Sequence, residues 1–458
     1  MTEAGTTASR AFAVWWKDFE RWDVKFFSSR IRSTYPIVRL GPYIQEHSEH
    51  IKLFHFPDTT FRILGVANTG GIFHAYDCLG KKINQPYQRV DAGEIVYNPY
   101  RVNVGSIGVV PAELGGNYIS PAYVVFSTDS VRLLPEYLLL ILKSDWFNPI
   151  LRAATAGSVR QNLTFDLLGT LKVPLLPLAE QNAIVTRWQQ AQVKIAAIRE
   201  RVKNHLTAIN TQFFEDLGLR LPDQSAMPKV FAVWWEDFLR WGVEFNFLNK
   251  SGADLSRGKY PVVELGSILD LVQYGTSEKP NTTGEGIAVI RMNNVIDGQF
   301  DLTDLKHLLL PKIEVEKLAL KEGDILFNRT NSKELVGKCA VFHSKGEFVF
   351  ASYLIRVRAN PNMADPDFLA FVINSPIGRQ QINALSRQII GQANINTQEL
   401  RGLKIPFPPL AVQKQIMERV NAGRAEISRE QEAAENLAKS INTEVEALIL
   451  CRKTLQDS

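Results

Sequence analysis

Arginine, asparagine and glutamine side chains recur in short glycine-containing segments in both halves of this 458-residue chain. These side chains form bidentate hydrogen bonds with guanine and adenine edges and also contact phosphates, so they predict DNA contact. The candidate DNA-binding residues are Arg101, Asn103, Arg160, Gln161 and Asn162 in the first half, and Tyr274, Thr276, Arg291, Asn293, Asn294, Arg329, Asn331, Lys333, Gln388, Gln392 and Asn394 in the second. Simple turn formation stays open for each of them taken singly, because Asn and Gly are common in surface turns.

Motifs for catalysis are weak or missing. The run 98–100, Asn-Pro-Tyr, resembles the N-P-P-Y tetrapeptide of amino-methyltransferases, but the second proline and a Gly-rich cofactor loop are absent. The sequence contains no G-x-x-x-x-G-K-[ST] phosphate loop and no H-E-x-x-H metal motif. Cys78, Cys339 and Cys451 lack C-x-x-C spacing, which predicts buried thiols and no zinc site or disulfide framework. We therefore expect no catalytic residue, no metal site and no cofactor bound by this chain.

An internal repeat supplies the elements that would position the candidate loops. Residues 12–26 (FAVWWKDFERWDVKF) and 231–245 (FAVWWEDFLRWGVEF) are identical at 11 of 15 positions. Residues 171–181 (LKVPLLPLAEQ) correspond in the same way to residues 403–413 (LKIPFPPLAVQ). The chain is therefore interpreted as two copies of one unit, each with an aromatic segment, a mixed domain, a proline-rich junction and a long helix. We expect the aromatic segments to pack each domain against the helices.

Apolar residues after Pro177 and Pro409 alternate at spacings of four and three, which is the heptad pattern of a coiled coil. The residues of this predicted helix seam are Ile184, Trp188, Ile195, Ile198, Val202, Ile209, Ile416, Val420, Ile427, Leu437, Ile441 and Leu448. We expect two rods of about 45 to 55 Å that pack on each other antiparallel, because a duplicated chain favours a pseudo-two-fold arrangement. A core-facing helix within one globular domain is the alternative for either stripe alone.

Short β-type runs alternate with turn residues in the mixed domains, which predicts an α+β class. The predicted strands are EIVYN, YVVF, AVIRM, DILFN and YLIRVR, and the predicted helices are PEYLLLILKSDWFNPIL and PDFLAFVINSPIGRQQINAL. The predicted boundaries place an aromatic segment with a first domain at 1–177 and a first long helix at 178–219. A linker, aromatic segment and second domain follow at 220–409, and a second long helix occupies 410–458.

The doubled junctions, together with the runs IGQANIN (390–396), AVIRMNNVIDGQF (288–300) and GDILFNRTNSKELVGKCAVF (323–342), resemble the specificity (S) subunits of type I restriction-modification enzymes. The resemblance implies two target-recognition domains that each read one half of a bipartite double-stranded DNA target, with the helices setting the spacing. It also implies two methyltransferase (M) subunits and motor-nuclease (R) subunits as partners, which would bind S-adenosylmethionine, ATP and Mg. The first copy has SVRQNLTFD (158–166) where the second has GQANINTQE (391–399), which leaves the role of that turn in the first domain unsettled.

The net charge of +4, from 52 basic and 48 acidic residues, is weak for a protein that holds DNA through its overall charge. We therefore expect the isolated chain to bind DNA weakly, with partner subunits supplying most phosphate contacts. The chain has no apolar run of 18 residues and no secretory pattern at its start, so we expect a cytoplasmic protein without membrane contact. The alternative function is a duplicated coiled-coil adaptor that binds proteins without recognising DNA, and a fused modification enzyme is a further alternative.

Overall fold

A computed structural model describes residues 31–452, apart from residues 32, 48, 156–161, 221–231, 234–253, 282, 297, 333–334, 386 and 390–391. The aromatic segments at 12–26 and 231–245 lie outside the described residues, except for residues 232 and 233, so their packing role stays a prediction. The chain forms two compact units. The first unit comprises the residues up to Arg199 together with those from Glu432, and the second unit comprises Glu200–Gln431.

The first unit contains eleven described strands: Ile37–Arg39 (β1), Ile44–Glu46 (β2), His50–Ile51 (β3), Thr60–Ala67 (β4), Gly71–Leu79 (β5), Tyr87–Val90 (β6), Ile95–Tyr97 (β7), Ile107–Val109 (β8), Asn117–Ile119 (β9), Val124–Thr128 (β10) and Lys172–Pro174 (β11). Three short helices lie between β10 and the long helix: Pro135–Lys143 (α1), Asn148–Thr155 (α2) and Phe165–Thr170 (α3). The long helix is Leu178–Asp216 (α4), and it ends among the residues of the second unit.

The second unit contains the strands Val262–Glu264 (β12), Leu269–Tyr274 (β13), Ile287–Ile290 (β14), Val295–Ile296 (β15), Gln299–Phe300 (β16), Lys306–Leu308 (β17), Ile325–Asn328 (β18), Thr330–Asn331 (β19), Cys339–Val341 (β20), Phe348–Phe350 (β21), Leu354–Ala359 (β22), Arg387–Ile389 (β23), Gln392–Asn394 (β24) and Lys404–Pro406 (β25). Its short helices are Lys312–Leu318 (α5), Pro366–Asn374 (α6), Pro376–Leu385 (α7) and Thr397–Arg401 (α8). The second long helix, Leu410–Ile449 (α9), begins in this unit and ends among the residues of the first.

Each unit is built on the same antiparallel four-stranded sheet. The strand order is β2-β10-β7-β8 in the first unit and β13-β22-β18-β20 in the second. In both units a two-stranded ladder joins the start of the domain to the strand before the long helix, as β1 with β11 and β12 with β25. The α+β class and the strands predicted from EIVYN, YVVF, DILFN and YLIRVR agree with this sheet, whereas the strand in AVIRM ends at Ile290, before Arg291.

The two units differ in the sheets added to this framework. The first unit adds one five-stranded sheet in the order β3-β6-β9-β4-β5. The described part of the second unit adds two three-stranded sheets, β17-β14-β21 and β19-β24-β23, and the pair β15-β16. Shared and divergent parts of the repeat therefore occupy different sheets.

Each predicted helical run in the mixed domains forms two helices rather than one. The first run breaks between Lys143 and Asn148, and the second breaks at Ser375, where Pro376 begins a new helix. The carboxylate of Asp365 caps α6 by accepting a hydrogen bond from the backbone N–H of Phe368 at 2.9 Å. These short helices pack on the four-stranded sheets and contribute buried residues to both large cores.

The long helices contain 39 and 40 residues and end before the predicted boundaries at 219 and 458. Their length corresponds to about 60 Å each, slightly more than the 45 to 55 Å expected from the seam. Within the first unit, Ile184 of α4 and Ile441, Val445 and Leu448 of α9 share one core. Within the second unit, Ile209 of α4 packs against Gly423 of α9, where an added Cβ would lie 2.8 Å from Ile209 Cδ1. In each unit the N-terminal part of one helix therefore packs against the C-terminal part of the other, which is antiparallel packing.

The predicted seam residues are all buried or half-buried. Leu206 also fits the four-and-three spacing of apolar residues between Val202 and Ile209, but it is 47% exposed. His205 occupies the seam at this turn, since it follows Val202 by three residues and precedes Ile209 by four. Its Nδ1 lies 3.7 Å from a carboxylate oxygen of Glu430 on α9. A pattern of apolar residues alone selects Leu206 and not His205 at this turn, because histidine is not apolar.

The three cysteines are free thiols, of which Cys339 is buried while Cys78 and Cys451 are half-buried. The expectation of buried thiols therefore holds for Cys339, and burial raises its pKa to about 12. Among the described residues, no group of three or more His, Cys, Asp or Glu side chains is placed to hold a metal ion. None of the helices in the described ranges combines the length and the apolar character needed to cross a membrane.

Candidate nucleic-acid interface

The candidate loops of both units follow the same strand of the shared four-stranded sheet. In the first unit the loop leaves β7, and the carbonyl of Pro99 accepts a hydrogen bond from the N–H of Leu163 at 2.9 Å. In the second unit the loop leaves β18, and the carbonyl of Arg329 accepts a hydrogen bond from the N–H of Ile395, also at 2.9 Å. Each unit therefore brings the loop after this strand together with the segment before its last short helix, α3 or α8.

This shared hydrogen bond corrects the alignment of the two copies at the turn before α3 and α8. The runs SVRQNLTFD and GQANINTQE pair at a difference of 233 residues, whereas Leu163 and Ile395 differ by 232. The N-cap residues Thr164 and Asn396 also differ by 232, and each accepts backbone hydrogen bonds from its own helix. Asn162 therefore corresponds to Asn394, so an asparagine stands at this position in both copies.

Four candidates of the second unit lie on one small sheet. In this sheet β24 pairs with both β19 and β23, so Asn331 and Gln388 both lie opposite Ala393, and Ile389 lies opposite Gln392. Asn394 is exposed, and its side-chain oxygen accepts a hydrogen bond from the Thr330 hydroxyl at 3.3 Å. The Asn331 side-chain oxygen accepts a hydrogen bond from the N–H of Ser332 at 2.8 Å. In both asparagines this orientation leaves the NH₂ group as the free donor of the amide.

Tyr274 and Arg329 form a stacked pair beside this sheet. The guanidinium carbon of Arg329 lies 4.7 Å from the centre of the Tyr274 ring, and the Tyr274 hydroxyl accepts a hydrogen bond from the N–H of Thr397 at 3.3 Å. The residue after Tyr274 is Gly275, and its backbone lies close to the carbonyl oxygen of Phe350. Only glycine fits there, because a Cβ would lie 2.2 Å from that oxygen. A glycine and a helix start therefore hold the tyrosine ring in place under the arginine.

Three other candidates of the second unit have hydrogen-bond partners inside the fold, and their contact with DNA stays a prediction. Thr276 is buried, and its hydroxyl accepts a hydrogen bond from the N–H of Glu278. Asn294 is 3% exposed, and its amide donates to the carbonyls of Asp301 and Asp304. Arg291 donates to the carbonyl and the carboxylate of Asp304, each at 3.0 Å. Turn formation explains these side chains, whereas Asn293 is exposed and stays a candidate.

The first unit presents Arg101 as an exposed residue, with Asn103 and Asn162 half-buried. The loop is shaped by Asn98, whose side-chain oxygen accepts a hydrogen bond from the N–H of Tyr100 at 3.0 Å. The carbonyl of Asn103 accepts a hydrogen bond from the side chain of Asn148 at 2.9 Å, which ties the loop to α2. Arg160, Gln161 and Lys333 lie outside the described residues, and the side chains of Gln388 and Gln392 are not described, so their roles stay predictions.

Two exposed tyrosines beside these loops were not among the predicted site residues. Tyr100 is 55% exposed in the first unit, and Tyr353 is 52% exposed in the second, where its carbonyl accepts a hydrogen bond from the N–H of Arg329. Exposed aromatic rings stack on bases and sugars, so both belong to the candidate surface. The sequence carried a signal only for Tyr100, which directly precedes the candidate Arg101.

The sequence model described as the type I restriction modification DNA specificity domain matches residues 250–435, which include the sheet and loops of the second unit. This part of the chain is therefore similar to type I specificity subunits. A Methanocaldococcus jannaschii protein provisionally named the type I restriction enzyme MjaX specificity subunit is 31% identical over 196 residues, covering 42% of this chain and 44% of that protein. The type I restriction enzyme EcoKI specificity subunit of Escherichia coli K12 is 24% identical over 301 residues, covering 63% of this chain and 59% of that protein. The chain thus matches about half the length of these relatives.

A solved structure described as the basis of complex assembly and conformational transition of the type I R-M system contains a chain of similar fold. The TM-score is 0.56 at 17% identity, with 92% of this chain and 98% of that chain covered. At this identity the likeness concerns the fold. The likeness extends over nearly the whole length of both chains.

One buried glutamine anchors the long helix in each unit. Gln181 on α4 accepts a hydrogen bond from the N–H of Leu134 and donates to the carbonyls of Arg132 and Leu176, at 2.7 to 2.9 Å. Gln413 on α9 does the same with Asp365, Met363 and Pro408, at 2.8 to 3.2 Å. Both side chains are completely buried, so each helix start is fixed to its domain by three hydrogen bonds.

The electrostatics differ at the carboxylate before the shared central strand. In the second unit Asp324 is fully buried and receives two hydrogen bonds from Arg358 at 2.7 and 2.8 Å, with Arg356 3.6 Å away. Burial lowers the pKa of Arg356, although the nearby Asp324 opposes this shift. In the first unit Glu94 instead bonds His47 at 2.5 Å beside a pocket of about 440 Å³ that Glu46, Glu49 and Ser127 also line. The site is therefore filled by arginines in one unit and open in the other.

Proposed function

We propose that this chain is the DNA sequence-specificity subunit of a type I restriction-modification complex. Each unit reads one half of a bipartite target through the loops after β7 or β18 and the segment before α3 or α8. The observation that carries this proposal is the pair of equal backbone hydrogen bonds, Pro99 with Leu163 and Arg329 with Ile395. They hold unlike side chains on like backbones, which is the arrangement expected if two similar scaffolds read two different sequences.

Reading occurs through side-chain bonds to base edges in the major groove. Each good bidentate contact discriminates against the wrong base by about 1–3 kcal/mol, so a few contacts per unit give several kcal/mol. The exposed or half-buried candidates Arg101, Asn103 and Asn162 supply donors in the first unit. Arg329, Asn331 and Asn394 supply them in the second. The amide groups suit adenine, and the guanidinium groups suit guanine.

The long helices determine the distance between the two half-sites. A rod of 50 to 60 Å spans on the order of 15 base pairs at about 3.4 Å per base pair. Inserting four residues, one helical turn, into α4 and α9 at matched positions adds about 6 Å, which is nearly two base pairs. We expect the selected spacer to lengthen by one or two base pairs while both half-site sequences stay the same. An unchanged spacer in a folded insertion variant would contradict this role for the helices.

Partner subunits supply the chemistry in this proposal. The chain itself is non-catalytic and directs adenine methylation by two methyltransferase subunits, or restriction by motor-nuclease subunits. S-adenosylmethionine, ATP and Mg then belong to those partners rather than to this chain. The weak net charge of +4 supports this division, because the partners supply most phosphate contacts as they close around the duplex.

The test is to purify the tagged full chain with the subunits that accompany it, incubate the complex with random duplex DNA, and sequence the bound fraction. The proposal predicts co-purifying methyltransferase subunits and an enriched motif of two short sequences separated by a fixed spacer. A protein-interaction adaptor would co-purify with proteins but enrich no DNA sequence. A complex that binds every duplex equally would refute the proposal.

A further inference from the structure

Arg329 is a stacked cation that has no anionic partner among the residues that the structure describes. Its guanidinium lies over the Tyr274 ring, and its Nε is buried without a hydrogen-bond acceptor. Within the described ranges, no carboxylate or carbonyl accepts a hydrogen bond from this side chain. The guanidinium carries five N–H donors, so this side chain has donors to offer to a ligand that brings acceptor atoms.

The other arginines close to this surface differ from Arg329. Arg356 and Arg358 face Asp324, and Arg291 faces Asp304. Those three side chains each bond a carboxylate or carbonyl of the fold, with Arg356 and Arg358 sharing Asp324. Arg291 and Arg356 also have a buried Nε without an acceptor, so Arg329 differs in that, among the described residues, its guanidinium makes no hydrogen bond at all. Arg329 lies beside Tyr274 and next to β19, where the side-chain NH₂ groups of Asn331 and Asn394 also have no acceptor within the described part of the chain. The place of Arg329 on this surface therefore indicates an external acceptor rather than a missing internal one.

Both groups of the stacked pair are fixed by the backbone. The N–H of Arg329 donates to the carbonyl of Tyr353 at 3.0 Å, and its carbonyl accepts from the N–H of Ile395 at 2.9 Å. The Tyr274 ring is held by the bond from the N–H of Thr397 to its hydroxyl. The guanidinium carbon lies 4.7 Å from the centre of this ring, and a planar guanidinium matches a partner with two acceptor atoms.

The first unit has no donor at the corresponding position. Pro99 makes the same backbone hydrogen bond to the segment before α3, but its side chain carries no hydrogen-bonding group. A contact needed only to hold the phosphate backbone is equally useful in both units. A guanidinium present in one unit and replaced by proline in the other fits a contact that depends on sequence.

We infer that Arg329 reads one guanine in the half-site of the second unit, with bidentate hydrogen bonds to guanine O6 and N7, and that Tyr274 is its positioning residue. This inference rests on the proposed function, because it requires DNA on this surface. It adds the identity of one base, the residue that selects it, and the contrast with the first unit. No counterpart of this reading exists at Pro99.

The experiment compares bound DNA sequences for the full chain, purified with its accompanying subunits, against variants in the same random-duplex selection. Arg329→Ala should reduce the preference for guanine at one position of one half-site by about 10-fold or more and leave every other position unchanged. Arg329→Lys keeps the charge but loses the planar fork, so it should lose the same preference. Arg257→Ala removes another arginine of the second unit whose side chain is 85% exposed, and should leave the motif unchanged.

The role of Tyr274 has its own comparison. Tyr274→Leu removes the ring and should weaken the guanine preference at the same position, while Tyr274→Phe keeps the ring and should restore most of it. Circular dichroism melting of each variant separates a folding defect from a loss of reading.

A uniform loss of affinity across all sequences in Arg329→Ala, with a salt dependence reduced by about one phosphate contact, would overturn the inference and make Arg329 a phosphate contact. An unaltered motif in Arg329→Ala would overturn it as well. If the unmodified complex enriches no sequence at all, the proposed function itself fails, and this inference fails with it.

Discussion

The two units of this chain share a framework and differ in what is attached to it. Both have the antiparallel order of four strands and the buried glutamine at the start of a long helix. Both also have one backbone hydrogen bond between the loop after β7 or β18 and the segment before the last short helix. The added sheets differ, with five strands in one sheet of the first unit and smaller sheets in the second. The comparison shows which residues hold the fold, because those keep the same partners in both copies.

The carboxylates before the shared central strand provide the sharpest contrast in stability. Replacing Asp324 with Asn leaves the buried Arg356 and its neighbour Arg358 without a counter-charge, and we expect a loss of about 3–5 kcal/mol. The matched variant Glu94→Gln removes only hydrogen bonds to His47 and the N–H of Asp91, at a cost of about 1 kcal/mol. Urea unfolding combined with hydrogen exchange of peptides from each sheet measures both values. Equal losses of unfolding free energy in the two variants would show that Arg356 and Arg358 do not make Asp324 more important than Glu94.

The buried glutamines give the next largest effect, and here the two units should agree. Gln181→Leu and Gln413→Leu each remove three buried hydrogen bonds and leave backbone groups without partners, which costs about 2–4 kcal/mol. Hydrogen exchange should increase in the variant's own unit, in the sheet and in the first turns of the long helix. Losses that differ between the units by more than about 1.5 kcal/mol would contradict a shared role for the two residues.

The smallest expected effect is a pH-dependent change in the stability of the second unit alone. Burial disfavours the charged form of His343, but hydrogen bonds with Asp367 at 3.0 Å and Glu322 at 2.7 Å outweigh this and raise its pKa. A raised pKa in the folded state means that the stabilisation is complete below about pH 6.5 and is lost as the pH rises through the folded value. His343→Gln should therefore cost a few tenths of a kcal/mol at pH 5.5 and nothing at pH 8.5, because the group is half exposed. Peptides of the first unit serve as the control in the same hydrogen-exchange series, and a cost that grows with pH would contradict the assignment.

The repeat made much of the framework predictable. Runs such as EIVYN and DILFN are apolar on both faces and end in turn residues, and they form the buried strands β7 and β18. The prolines before α4 and α9 and the heptad spacing predicted long helices and most of their buried face. The spacing fails at one position of the seam, where His205 faces Glu430 and Leu206 is exposed. A pattern of apolar residues does not detect a histidine.

The candidate site could be predicted only in part. Arg329 and Asn394 lie on the surface that the sequence indicated, but Asn294 has the same chemistry and is used inside a turn. Whether an asparagine caps a turn or faces solvent depends on carbonyls such as those of Asp301 and Asp304, whose positions follow from the folded chain. Side-chain type therefore predicted the kind of surface, while the partners decided which residues belong to it.

The central claim is that each unit reads its own half of the target, and the most direct measurement selects DNA with two matched variants of the full complex. Arg101→Ala in the first unit and Asn331→Ala in the second should each relax one or two positions of a different half-site, with the other half and the spacer unchanged. Relaxation of both halves by either variant, or a contiguous motif without a spacer, would contradict the account.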